Sequence, residues 1–306
     1  MRSTIYMLAI VMGFVSLSSQ SSAEMIYGIA ELGSQNLVRY DSTSPGSIIS
    51  SIAISGLQAN ESIKGIDFRP ATNQLYALGS SSRLYQVNTN TGQVFAVGTP
   101  FTPTLNGTSF GFDFNPAIDR IRVVAETNTN TVLNPNDGTG TGVTNLFYGA
   151  GDPNFGVDPN VVDSAYTNSF SGPPNPQTPA RTTQLYGIDT GLDILVTQAN
   201  SAGTLGTVGG LGLDVVSVGG FDISPIGNQI AYAALLPANA TNSRLYTINL
   251  GTGLATQVGE IDGGLFISSL AVAPDRIVQP DIPEPTSMVL VLTGLVGVIS
   301  LRQRRA

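Results

Sequence analysis

Three stretches of this 306-residue chain repeat one pattern: GIDFRP at 65–70, GFDFNP at 111–116 and GFDISP at 220–225. Each runs glycine, apolar residue, aspartate, apolar residue, spacer, proline. Side chains alternate between the faces of an extended chain, so Phe112 and Phe114 share one side and Asp113 takes the other. Pro116 has no amide hydrogen to give a ladder and ends the strand.

Longer copies extend from these openings. GIDFRPATNQLYALGSSSRLYQVNTNTGQVFAVG begins at Gly65, GFDFNPAIDRIRVVAETNTNTVLNPNDGTGTGVTNLF at Gly111, and GFDISPIGNQIAYAALLPANATNSRLYTINLGTGLATQVG at Gly220. VVDSAYTNSF (161–170), a proline-rich insert SGPPNPQTP (171–179) and TTQLYGIDTGLDILVTQ (182–198) read as a degenerate copy. The openings recur at a period of about 50 residues. Each copy resolves into four short strands. The second lies around Leu75–Ala77, Ile121–Val123 or Ile230–Tyr232, and the third is RLYQVN at 83, QLYGID at 184 or RLYTIN at 244. Turns such as TNTG (89–92) and LGTG (250–253) offer glycine where a tight hairpin needs positive φ. The fourth strand is QVFAVG, DILVTQ or ATQVGE. Four antiparallel strands at this period predict β-propeller blades.

The ends of the repeat region complete one another. SSLAVAP (268–274) matches only a first strand, whereas residues 25–54 match the second, third and fourth and lack a first. Joined, they make one blade closed by strands from both ends, which leaves no open sheet edge in the ring. The expectation is an all-β fold with five blades over 24–276. A sixth follows if 149–219 hides a further sheet. A pair of β-sandwiches explains neither the period nor the split blade.

Composition agrees: charged residues are 11%, with 35 glycines and 18 prolines, too few charges and too many turn formers for long amphipathic helices. Cysteine and histidine are both absent. The chain therefore has no disulfide, no Ser-His-Asp or Cys-His nucleophile system, no imidazole or thiolate zinc site and no haem attachment motif. Carboxylates, tyrosine, the single lysine Lys64 and oxygen ligands for hard cations remain.

Arg2, the apolar stretch Ile5–Leu17 and small residues at Ser21 and Ala23 have the order of a secretory signal peptide over 1–23, cleaved after Ala23. After a linker at 277–282 comes Pro283-Glu284-Pro285, an apolar segment over 286–301, and Arg302, Arg304 and Arg305. The 16 residues of Thr286–Leu301 make about 24 Å of helix. A hydrocarbon core is about 30 Å thick, so the segment is short for a permanent span. The arginines favour a cytoplasmic C-terminus, with the body across the membrane. Setting both ends aside leaves nine basic and twenty acidic side chains, a formal charge of −11. That charge argues against nucleic acid or anionic lipid as partner.

Two sets of carboxylates are candidate cation ligands. Asp67, Asp113 and Asp222 recur at one position of the first strand, which lines the axis of a propeller, so they converge on Ca²⁺ if they point inward. The alternative is structural: each caps the proline turn of its own blade. Asp152, Asp158 and Asp163 lie in the oxygen-rich loop GDPNFGVDPNVVD, whose spacing matches no EF-hand, and an interblade turn is the alternative there too. NPNDGTGTG (134–142) reads as a hairpin tip, and the sequons at Asn60, Asn106 and Asn239 as chance matches in an Asn- and Thr-rich chain. No residue is singled out as catalytic.

The body, roughly 25–274, resembles the domain of unknown function 4394 in GFDFNPAIDRIRVV (111–124), DPNVVDSAYTNS (158–169) and TTQLYGIDTGLDILVTQ (182–198). That resemblance implies a fold and no activity. The tail resembles the PEP-CTERM sorting signal, with Pro283, Glu284 and Pro285 as its triplet, 288–301 as its apolar segment and the three arginines as its basic end. This implies a bacterial protein recognised by an exosortase, a membrane protease and transpeptidase, passing through the inner membrane to the cell surface or a polysaccharide matrix. The expected function is non-catalytic binding of glycan or protein through loops on one propeller face. The alternative is a carboxylate-dependent polysaccharide hydrolase or lyase, since paired acids suffice for glycoside cleavage. Mass measurement of the mature C-terminus, in cells with and without the sorting protease, is expected to show loss of everything after about Pro285 only when the protease is present; an unprocessed tail in both contradicts the reading.

Overall fold

The computed structural model describes residues 23–227 and 229–280. The expected signal peptide apart from Ala23, and the whole segment 283–306, lie outside the described residues. Among the described residues no helix is long and apolar enough to cross a membrane.

The chain builds five sheets. β1 (Met25–Glu31), β2 (Gln35–Asp41) and β3 (Ile48–Ala53) belong to the first blade. The second is β4 (Ile63–Arg69), β5 (Gln74–Gly79), β6 (Arg83–Val87) and β7 (Val94–Val97). The third is β8 (Phe110–Asn115), β9 (Arg120–Ala125), β10 (Asn130–Leu133) and β11 (Gly140–Gly142). β12 (Phe147–Tyr148) precedes the fourth blade, β13 (Val161–Tyr166), β14 (Leu185–Asp189), β15 (Ile194–Gln198) and β16 (Thr204–Gly210). The fifth is β17 (Val215–Ile223), β18 (Ala231–Pro237), β19 (Arg244–Ile248) and β20 (Ala255–Glu260), and β21 (Ile267–Val272) completes the first as its innermost strand. The split blade is thus formed as expected, β21 pairing antiparallel with β1 through Gly28 and Leu270.

The fourth blade departs from the sequence expectation. QLYGID is its second strand, DILVTQ its third, and the fourth is the Gly/Thr-rich TLGTVGG of β16. A Leu-Tyr pair occurs in the third strands β6 and β19 but also in the second strand β5, whose Gln74-Leu75-Tyr76 is the same triplet as Gln184-Leu185-Tyr186, so the pair does not tell the two positions apart. β12 adds a fifth strand, parallel to β16 through Phe147–Thr204 and Tyr148–Leu205. No sixth blade exists in 149–219.

Five apolar clusters hold the ring, one between each pair of neighbouring blades. Tyr27, Ile29 and Leu37 of the first blade meet Ile66 and Phe68 of the second; Leu78 and Leu84 of the second meet Phe112 and Phe114 of the third. Val124 and Leu146 meet Val161 and Val196, Ile188 and Leu195 meet Phe221 and Ile223, and Tyr232 and Leu245 meet Val38 and Leu270 to close the circle. The apolar sides of each sheet thus face its neighbours, and its innermost strand faces the axis.

First strands run from one end of the ring, called here the top, to the bottom, where the proline turns lie. The proline-rich insert crosses the bottom. The Gly172 amide donates to the Pro70 carbonyl at 2.9 Å and the Asn175 amide to the Ala117 carbonyl at 2.9 Å, so it ties the second and third blades, while just before it the Asn168 amide donates to the Gln229 side chain of the fifth at 3.1 Å. Residues after ring closure are also held: the Val278 amide donates to the Asn73 carbonyl at 2.9 Å, and Gln279 exchanges hydrogen bonds with Thr89 at 2.9 and 2.7 Å. The described part of the expected linker therefore lies along the bottom of the second blade.

Phe114 has no exposed surface and packs edge-on to Tyr76 across the second and third blades, with ring centroids 5.3 Å apart. Phe114→Ala is expected to cost about 3–5 kcal/mol of unfolding free energy in urea titrations; a loss below 1 kcal/mol contradicts this placement of the core.

Candidate functional site: the axial channel and its upper mouth

An innermost strand has a second blade beside it but no ladder to it, so its amides toward that side need side-chain partners. The G-x-D motif supplies them. Asp67 accepts the amide of Phe114 in the next blade at 2.7 Å, Asp113 that of Tyr166 at 3.0 Å, and Asp222 that of Val272 at 2.6 Å. Asp67 and Asp222 also accept the amide of the following residue, each at 2.6 Å. The expected cap on each blade's own proline turn is therefore corrected: the carboxylate reaches sideways to the neighbouring blade.

The other two junctions use a displaced version. Cross-strand partners align Ala165 and Ala271 with the three aspartates, since Asp67, Asp222, Ala165 and Ala271 all face a tyrosine and Asp113 faces Arg122. Two residues earlier, where the other blades have glycine, stand Asp163 and Ser269. The Phe221 amide is hydrogen-bonded to Asp163, and the Ile66 amide donates to the Ser269 hydroxyl at 2.9 Å. Where the strand reads G-x-D the third residue bridges; where it reads D-x-A or S-x-A the first one does. The motif glycine is required by closeness: a Cβ on Gly111 would lie 2.6 Å from the Ser164 amide nitrogen, and one on Gly65 2.5 Å from the Phe112 Cβ.

Asp67, Asp113 and Asp222 can each place an oxygen within 4.8 Å of the others, and all three are buried. Burial, then mutual repulsion among carboxylates, pushes Asp67 and Asp113 well above the ordinary range; burial does the same to Asp163 and pushes Asp222 up to about 7. As a calcium site the group is short of donors. Calcium takes six to eight oxygens, while three carboxylates are present and the oxygens of Asp67 and Asp222 already accept amides.

The second candidate set does not converge. Asp152 accepts the amides of Asn154 and Thr207 and the Thr207 hydroxyl, pinning its loop to β16, and Asp158 accepts the Asn128 side chain at 2.6 Å. Asp163 belongs to the axis instead.

Below the aspartates the channel ends. The space against Asp67, Asp222, Pro225, Pro274 and Ser169, two residues before the insert, is about 10 Å³, room for one water. Above them it opens. A cavity of about 350 Å³ is lined by Lys64, Ser109, Asp163, Phe266 and Ser268, among others. Glu31, Gln35 and Ser62 line both this mouth and a cavity of about 450 Å³. Thr108, Ser109 and Ser217 line both the mouth and a third cavity of about 220 Å³. The three adjoin as one polar trough across the top. Its walls come largely from the upper parts of strands and the loops beside them, and no sequence pattern gathers them.

A family model for a domain of unknown function, DUF4394, matches residues 36–271. The chain belongs to that family. The match takes in the second to fifth blades whole and most of the first. No curated protein sequence matches the chain. Among solved structures it is similar to a structural-genomics protein of unknown function from Bacteroides thetaiotaomicron, at 13% identity and a TM-score of 0.44, over 80% of this chain and 60% of that one. It is also similar to the glutaminyl cyclase of Myxococcus xanthus, at 11% identity and a TM-score of 0.42, over 70% and 84% of the two chains. The chain thus spans less than two thirds of the length of the first of these.

For this DUF4394 propeller the axial carboxyls set a pH dependence. Their folded pKa values lie above the unfolded value of 3.8. The folded state therefore holds protons that the unfolded chain has released, and the stability they contribute is complete below about pH 4 and lost as pH rises through the folded values. The melting temperature is expected to fall steadily from pH 5 to pH 8, and to fall less steeply in Asp222→Asn, itself about 1–3 kcal/mol less stable because an amide cannot accept both the Ile223 and Val272 amides. A flat profile contradicts the account. A fall that calcium reverses and a chelator restores would instead make these aspartates ion ligands.

Proposed function

We propose that this protein is an exported, non-catalytic binding propeller of a bacterial surface or extracellular matrix, which holds glycan in the trough across its top face. The observation that carries this reading is the shape and lining of the trough: a continuous polar groove rich in hydroxyls, with Phe266 36% exposed at its mouth. Hydroxyls and amides suit the polar rim of a sugar, and an exposed ring suits its apolar face. Binding of a protein loop is the other use the same groove allows. Delivery by an exosortase acting on Pro283-Glu284-Pro285, with the apolar segment and terminal arginines as the inner-membrane intermediate, belongs to this proposal and rests on the sequence of the tail.

The alternative, a carboxylate-dependent polysaccharide hydrolase or lyase, is favoured by one observation: no arginine pairs with the four axial aspartates in the hydrogen bonds they make. Against it, glycoside cleavage uses carboxyls about 5–9.5 Å apart on both sides of an accessible bond. Asp67, Asp113 and Asp222 are packed closer than that and lie buried beneath the floor, engaged with backbone amides.

Pull-down on a panel of polysaccharides, with reducing ends measured in parallel, separates the two. Binding without new reducing ends is expected, weakened about tenfold by Phe266→Ala. Turnover that is abolished by Asp113→Asn or Asp163→Asn overturns the choice in favour of the enzyme.

A further inference from the structure

Resting on the trough reading, the lining also selects a ligand class. Three kinds of polysaccharide differ in charge: neutral, anionic through uronate or sulfate, and cationic through free amines. Among the described residues Lys64 is the one cation lining the three cavities, against Glu31, Glu61 and Glu126; Asp163, which also lines the mouth, is pushed toward its protonated form by burial. Among the described residues no cation lines the 450 Å³ cavity between the first and second blades, which carries both Glu31 and Glu61.

The two glutamates have different parts. Glu61 is held by its own fold: it accepts the Ser81 amide at 3.1 Å, the Gln58 amide at 3.3 Å and the hydroxyls of Ser81 and Tyr85, each at 2.5 Å. Partial burial pushes its carboxyl up, and these donors together outweigh that and bring it below the ordinary value. It is a fixed negative charge in the wall with its lone pairs spent. Glu31 is exposed, and its bonds fall on one oxygen: Oε1 accepts the Gln35 side-chain Nε2–H at 2.8 Å and the Ser268 hydroxyl at 2.9 Å. Those two contacts aim the carboxylate where the outer cavity joins the axial mouth, and Oε2 makes no contact with either of them. Glu126, at the far end of the trough, is held ionised like Glu61 by the amides of Thr108 and Ser109 and the Thr108 hydroxyl. An ammonium group beside Glu31 therefore gains a charge-assisted hydrogen bond from one glutamate and the field of another, in a groove with low-dielectric walls.

We propose that the trough is a subsite for glycans bearing free amino groups, with Glu31 accepting a hydrogen bond from the sugar ammonium and Glu61 adding fixed negative charge to the wall of the same cavity. A uronate chain meets the same charges as repulsion, and a fully acetylated chain gains nothing from them.

Calorimetric titration of the protein at pH 6 with glucosamine oligomers, the matching N-acetylglucosamine oligomers and an oligo-uronate is the test. The glucosamine oligomer is expected to bind at least tenfold tighter than its acetylated form, with the preference lost in 1 M NaCl, where the Debye length falls to about 3 Å. Glu31→Gln, an exposed isosteric change, is expected to remove most of that preference, read as the ratio of the two dissociation constants. Equal binding of the two oligomers, or a preference that survives Glu31→Gln, overturns the amine subsite while leaving a glycan trough. Tightest binding of the uronate overturns the subsite on charge, and no binding of any of the three overturns both readings.

Discussion

Every blade of this ring must present the open side of its innermost strand to a neighbour that offers no ladder. The fold depends on how the amides along that side are satisfied. One side chain per blade does it, reaching across to a backbone N–H of the next: Asp67, Asp113 and Asp222 at one level, Asp163 and Ser269 two residues higher. A carboxyl group suits the task because its two oxygens can accept amides from its own strand and from its neighbour together. The cost is charge: four aspartates share a narrow axis, and their raised pKa values express both the burial and the crowding. Apolar clusters between blades supply the bulk of the cohesion. The bridges fix the angle and register at which those clusters meet.

The same arrangement gives the two faces different characters. At the bottom the insert and residues 275–280 run over the turns, and the channel closes within about one water of Asp67 and Asp222. At the top the first strands begin among loops that leave a trough over the axis. The open cavities therefore lie at the top. The axial aspartates, conspicuous in the sequence, are the mount on which the trough is built, while side chains lining the trough, Glu31, Ser62, Lys64, Ser109 and Phe266, stand at strand ends and in loops.

Much of the fold was legible because its determinants recur. The G-x-D openings, the Leu-Tyr strands and the glycine turns, with Gly92 and Gly253 at positive φ as the hairpins require, repeat at one period, and the split first blade follows from what each chain end lacks. The fourth blade was misread where the recurrence failed. Its second strand carries a Leu-Tyr pair that second and third strands share, as in β5 and β6, and β16 is so rich in glycine and threonine that it reads as a turn. The aspartates were recognised as one set, but their partners were not, because a bridge to the next blade is a contact about 50 residues away that no local pattern encodes. Asp163 looked like part of an oxygen-rich loop; the clue was that Ala165 and Ala271 stand at the aspartate position and a polar residue stands two places before each. The trough has no sequence signature at all, since its residues come from all five blades and touch only when the ring closes.

Amide hydrogen exchange resolved by residue tests the interblade bridges most directly. The amides of Phe114, Tyr166, Phe221, Val272 and Ile66 face the axis rather than a ladder. The account predicts that all five exchange as slowly as amides inside the sheets, and that Asp113→Ala accelerates Tyr166 far more than its ladder-paired neighbours. Rapid exchange of the five in the unaltered protein, or no selective change at Tyr166, would contradict the claim that these side chains join the ring.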